Sequence, residues 1–124
     1  MLVLKRAYEK ASAQDGVRFL VDRLWPRGVR KADLRIDGWL KDAAPSDALR
    51  RWFAHDPERW SEFRRRYFAE LDQHAEACAP LRQAVRQGRV TLVYSAKDAE
   101  HNNAAALRDY LAAGKGRGKK TSHA

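Results

Sequence analysis

The sequence predicts a small α/β fold, a Rossmann-like sandwich with a short, mainly parallel sheet flanked by helices. Three observations carry this. Apolar runs of strand length lie near the N-terminus, at Val17–Val21 and at Val90–Tyr94. A long stretch of helical periodicity separates the second run from the third and suits a right-handed crossover between parallel strands. A last helical pattern follows the third run. The 124 residues fit one domain, predicted over residues 1–113 and followed by a basic flexible tail over 114–124.

Met1–Tyr8 alternates loosely and reads as the first strand. Asp15-Gly16 is a turn signal, and Val17–Leu24 reads as the second strand until Pro26 and Gly28 break regular structure. The short link between these strands leaves their relative direction open. Residues 29–45 form a basic connection that packs down through Leu34, Ile36, Trp39 and Leu40. Ser46 is an N-cap candidate for a short helix through Phe53.

Asp56-Pro57 is a helix start, an acid at the cap followed by proline in the first turn. Trp60, Phe63, Tyr67, Leu71 and Cys78 then fall on one stripe at helical spacing. Pro80 is expected to interrupt, with a shorter helix from Leu81 to Gln87 capped by Gly88. Val90–Tyr94 is apolar throughout, the pattern of a central strand covered on both faces. His101–Ala112 is the last helix. Gly114–Ala124 lacks the apolar residues that would pack it.

Hydrophobic residues make up 44% of the chain, which excludes a disordered class. No apolar run approaches the roughly 20 residues of a membrane span, and the N-terminus lacks a signal-peptide pattern. A cytoplasmic protein without membrane contact is therefore expected. The single cysteine cannot form an internal disulfide, and Cys78 is expected in the core. Net charge is +9, of which Lys115, Arg117, Lys119 and Lys120 supply four, so residues 1–113 still carry +5. A basic body favours polyanionic partners.

Two strand exits concentrate chemistry. After the second strand come Asp22, Arg23, Trp25 and Arg27, and after the third come Ser95, Lys97, Asp98, His101, Asn102 and Asn103. Ligands of open α/β sheets bind outside the carboxyl ends of parallel strands. If the two strands are neighbours, Asp22 and Asp98 share an edge and make a candidate Mg²⁺ or Mn²⁺ site, since hard cations take oxygen ligands. Arg23, Arg27 and Lys97 are candidate phosphate grips, with Asn102 and Asn103 as amide contacts and Trp25 as a stacking surface. His55 and His101 are candidate proton carriers. Each has a structural alternative: a salt-bridged turn for Asp22 and Arg23, core packing for Trp25, capping for Asp98 and the two asparagines. No organic cofactor is implied. The arginines at 50, 51, 59 and 64–66 suggest either a nucleic-acid stripe or a solvated helix face.

Val21-Asp22-Arg23-Leu24-Trp25-Pro26-Arg27-Gly28, Ala44-Pro45-Ser46, Leu49-Arg50-x-Trp52-Phe53-x-His55-Asp56, Trp60-x-x-Phe63 with Tyr67, and Leu92-Val93-Tyr94-Ser95-Ala96-Lys97-Asp98 with His101-Asn102-x-Ala104 resemble the small bacterial YeaO-like proteins, a domain of unknown function numbered 488. The likeness spans nearly all of residues 2–112. It implies a compact Rossmann-like α/β domain of a bacterial cytoplasm, and it implies no settled activity. Within its pattern fall Asp22, Arg23, Arg27, His55, Lys97, Asp98 and Asn102.

The function expected from these residues is nucleic-acid binding with divalent-metal-dependent phosphodiester hydrolysis. Asp22 and Asp98 would hold the metal, and His55 or His101 would move a proton. Two alternatives stay open: an enzyme acting on a small phosphorylated or nucleotide-like molecule, and a non-catalytic binding module.

Overall fold

The structure, a computed structural model, describes the backbone of residues 1–123 and the side chains of residues 1–113. The flexible tail expected over 114–124 lies outside the residues whose side chains are described. Four strands form one all-parallel sheet: β1 (Leu2–Arg6), β2 (Val17–Leu20), β3 (Gly38–Trp39) and β4 (Val90–Tyr94), in the spatial order β1-β4-β2-β3. Five helices accompany it: α1 (Lys31–Leu34), α2 (Asp47–Phe53), α3 (Trp60–Gln73), α4 (Ala79–Gln87) and α5 (Asn103–His123). This is the predicted small α/β fold. The first two strands run parallel and are not neighbours, because β4 lies between them.

Alternation along the strands builds two cores. Val90, Leu92 and Tyr94 of β4 join Val21, Phe63, Tyr67, Leu71, Cys78, Leu81 and Leu107 on the face covered by the longer helices. Val93 points to the other face, with Ala7, Leu20 and Leu34 and the flanking Trp25 and Trp39. Every residue of β4 is buried, as its unbroken apolar sequence predicts. Cys78 is fully buried, and burial pushes its thiol up.

The polar strand residues Lys5, Arg18 and Thr91 find their partners in the turn before β2 and at the end of α1. Arg18 is 3% exposed and donates to Asp15 (2.6 Å) and twice to the Leu34 carbonyl. Lys5 donates to the same Asp15 at 3.0 Å, and the Thr91 hydroxyl donates to the Asp15 carbonyl at 2.7 Å. Gly16, in the turn signal before β2, has φ +67°, and a Cβ there would lie 2.2 Å from the Arg89 carbonyl oxygen. Only glycine fits both constraints.

Several boundaries differ from expectation. β2 ends at Leu20, not Leu24; Val21 still donates to the Val93 carbonyl, and the chain then turns away. The packed connection of residues 29–45 contains α1 and the two-residue edge strand β3. Gly38 permits that strand, since a Cβ would meet the Phe19 ring at 2.9 Å. The long helix breaks at His74, and Pro80 lies in the first turn of α4, where its missing N–H costs nothing. Gly88 follows α4 with extended backbone at φ 165°, so it ends the helix without the left-handed turn of a glycine cap. The two N-caps stand as predicted: the Ser46 side chain accepts from the Leu49 amide, and Asp56 from the Glu58 amide.

Candidate ligand cavity at the carboxyl edge of the sheet

The exits of β1, β2 and β4 open on a cavity of about 590 Å³. Its size lies within the usual range of small-molecule sites, roughly 300–1,000 Å³. Asp22, Arg23, Trp25, Arg27, His55, Lys97, Asn102 and Asn103 line it, together with Tyr8, Arg50, Phe53 and Ser95. Eight of the ten residues singled out from the sequence therefore meet here. Asp98 and His101 are not on its lining.

Asp22 follows β2 directly and is held from two other elements. Its Oδ2 accepts from the Ser95 amide (2.9 Å) and the Ser95 hydroxyl (2.7 Å), both at the end of β4. Its Oδ1 accepts from Asn103 at the start of α5 (3.1 Å), and Asn103 also donates to the Val21 carbonyl (2.9 Å). The Asp22 carbonyl accepts from the Trp39 indole at 2.7 Å. Burial raises the Asp22 carboxyl above its ordinary value; the hydrogen bonds from Ser95 and Asn103 and the charge of nearby His55 oppose that rise.

Arg23 serves the structure of the wall. Its Nε donates to the Pro45 carbonyl at 2.9 Å and secures the loop before α2. The same loop is fastened from α3 by the Tyr67 hydroxyl on the Ala43 carbonyl and by Glu70, which accepts from the Ser46 amide (2.8 Å). Trp25 is half-buried, edge-on to Trp39 at 5.4 Å, with its indole N–H on the Val29 carbonyl. The Trp25-Pro26 bond is trans. Arg6 of β1 donates to the Ser95 and Ala96 carbonyls and steadies the segment that presents Lys97.

Arg27 and Lys97 are different. Both are exposed, line the cavity, and have no side-chain hydrogen-bond or ion-pair partner among the described residues. His55 joins them on strained backbone. Ala54 and His55 take consecutive left-handed conformations, φ +47° and +58°, each costing about 1 kcal/mol or more in a residue with a Cβ. Arg50 contributes a guanidinium tied to Asp47 at 2.5 Å, and its buried Nε has no partner among the described groups.

The two carboxylates that the sequence offers for a shared metal, Asp22 and Asp98, have separate partners. Asp98 turns its carboxylate onto its own loop, accepting from the Glu100 and His101 amides and pairing with His101 Nδ1 at 2.9 Å. Those contacts hold it below the usual carboxylate range. The His101 ring also meets Trp60 edge-on at 5.3 Å. Among the described residues, no group of three or more His, Cys, Asp or Glu side chains is arranged to hold a metal ion. Asn102 is a helix cap, 1% exposed, with Oδ1 accepting from the Ala105 amide and Nδ2 donating to the Asp98 carbonyl. Sequence reasoning missed Ser95 as a partner of Asp22. Its position one residue past β4, facing the exit of β2, was the available signal.

The arginine stripe reads as a solvated face. Arg65 and Arg66 both bind Glu62, Arg64 binds Asp109, and Arg50 and Arg51 both bind Asp47. Three acids on the same surface thus offset three of these five charges.

Fold and site together define a small all-parallel α/β domain with a cationic cavity at its carboxyl edge. The chain belongs to a known family: the model described as the inactive DUF488-N3 subclade matches residues 1–123. Among its relatives, the uncharacterized protein YeaO of Escherichia coli (strain K12) is 44% identical over 107 residues, covering 86% of this chain and 93% of that protein. The uncharacterized protein Rv3073c of Mycobacterium tuberculosis (strain H37Rv) is 45% identical over 106 residues, covering 86% and 89% respectively. No solved structure matches the chain significantly. No helix among the described residues is long and apolar enough to cross a membrane.

Proposed function

We propose that the cavity binds a small phosphate-bearing molecule and does not turn it over. The observation that carries this reading is the pair Arg27 and Lys97. Two cations without side-chain partners among the described residues line a concave site of small-molecule size at the sheet edge where such folds bind ligands. An arginine fork and a lysine point charge suit phosphate oxygens. His55, on backbone that an ordinary loop would avoid, supports a built site. The family's description as inactive favours binding without turnover.

Metal-dependent cleavage of nucleic acid draws less support. Its two carboxylates are engaged by different partners, and the stripe that would track a backbone is partly neutralised. The test is titration calorimetry with inorganic phosphate and pyrophosphate in EDTA, on the wild-type chain and an Arg27→Ala/Lys97→Ala variant. Loss of two charge-assisted contacts should weaken binding at least about tenfold. Equal binding by both proteins, or none, refutes the site. Metal-dependent cutting of labelled DNA or RNA that disappears in Asp22→Ala/Asp98→Ala would overturn the non-catalytic reading.

A further inference from the structure

We infer that the molecule bound here is a phosphate monoester carrying a free hydroxyl, and that Asp22 receives that hydroxyl. The inference rests on the phosphate reading of the cavity and concerns what the other end of the ligand must be.

A bare anion explains Arg27 and Lys97 and leaves Asp22 unexplained. A half-buried carboxylate in an anion site repels what the cations attract. The fold nevertheless takes trouble to place it. Ser95 donates twice to Oδ2, and Asn103 donates once to Oδ1, from two elements that follow β2 by more than 70 residues in the chain. A carboxylate offers about four acceptor sites. Three are occupied, and the one left belongs to Oδ1 of a side chain that lines the cavity. The site therefore has an anion-seeking end and a donor-seeking end.

The donor is a neutral hydroxyl, not an ammonium. An ammonium at Asp22 would share the cavity with Arg23, Arg27, Arg50 and Lys97, whose repulsion offsets the gain from one carboxylate. A hydroxyl donates without that penalty. It also completes the set of neutral donors that Ser95 and Asn103 begin on this carboxylate. The cavity, at about 590 Å³, is far larger than inorganic phosphate. Trp25 and Phe53 on its wall offer apolar faces to a carbon skeleton.

The test uses three monoesters that share a phosphate: ethyl phosphate, ribose 5-phosphate and 2-aminoethyl phosphate. Titration calorimetry in EDTA compares the wild-type chain with Asp22→Asn. A hydrogen bond to a charged group should make ribose 5-phosphate at least about tenfold tighter than ethyl phosphate in the wild type. In Asp22→Asn the preference should collapse, with ethyl phosphate bound as well as before or better. Three results overturn the inference while leaving the phosphate site standing: equal binding of ethyl phosphate and ribose 5-phosphate, a preference for the aminoethyl ester, or a hydroxyl preference that survives in Asp22→Asn. If no phosphate compound binds the wild type, the phosphate reading fails and this inference with it. Should Asp22→Asn not fold, the wild-type ranking still decides.

Discussion

Replacing Asp15 with alanine should destabilise the chain more than its place in a short turn suggests. The carboxylate is 8% exposed and accepts from Arg18, itself 3% exposed, at 2.6 Å, from Lys5 at 3.0 Å and from the Ser12 amide at 2.9 Å. Removing one partner of a buried ion pair costs about 3–5 kcal/mol, because the other charge is left without compensation. Here the low end applies: Arg18 keeps its two bonds to the Leu34 carbonyl, and Lys5, 21% exposed, can turn to water. A loss of about 3 kcal/mol at roughly 4 °C per kcal/mol lowers Tm by about 12 °C. Burial alone would raise the Asp15 carboxyl, yet the Ser12 amide, Lys5 and Arg18 hold it below its ordinary value near 3.8. A depressed carboxyl contributes stability that is full above the unfolded value and lost as pH falls through the folded one. The gap between wild type and Asp15→Ala should therefore narrow only below about pH 4. Calorimetric melts at pH 7 and across the acid range measure both effects. The double variant Asp15→Ala/Arg18→Met should recover part of the loss, since apolar replacement removes the stranded charge. An Asp15→Ala chain melting within about 3 °C of wild type at pH 7 would refute the reasoning.

Two further outcomes concern other buried features. Gly16→Ala places a Cβ against the Arg89 carbonyl on backbone with positive φ, and should cost at least about 2 kcal/mol in urea denaturation; a change under about 0.5 kcal/mol would remove the close-approach argument. Cys78 is fully buried, with its thiol pushed up by burial. A disulfide reagent at neutral pH should therefore label it only as fast as the chain unfolds, and rapid stoichiometric labelling of the native protein would contradict its placement.

The legible parts of the fold were those where side-chain pattern and backbone role agree. The unbroken apolar run of Val90–Tyr94 announces a central strand, and Trp60, Phe63, Tyr67 and Leu71 announce a helix packed on one stripe. β3 was not legible. It is two residues long, and its reason for existing is the fit of Gly38 over the Phe19 ring, a contact between distant segments. Pro80 misled because proline both breaks a helix and begins one; the break lies six residues earlier, at His74. In the site, residue type and position brought eight residues to one cavity. Their roles depended on hydrogen bonds that chain order does not reveal. Asp98 and Asn102 are consumed by their own loop and helix start, whereas Asp22 is held by Ser95 and Asn103.

The position of β4 has a consequence for how the protein comes into being. β1 and β2 are made first, and neither has the other as a neighbour; each pairs with a strand that begins only at residue 90. A nascent chain lacking its last third holds two strands without their shared partner. The sheet must close by insertion of a late segment between two early ones, an ordering that favours slow, long-range assembly after synthesis. The floor of the cavity arises in the same event, since Ser95 and Asn103 reach Asp22 only when that segment has docked. A ligand held there would therefore report on completion of the fold as a whole.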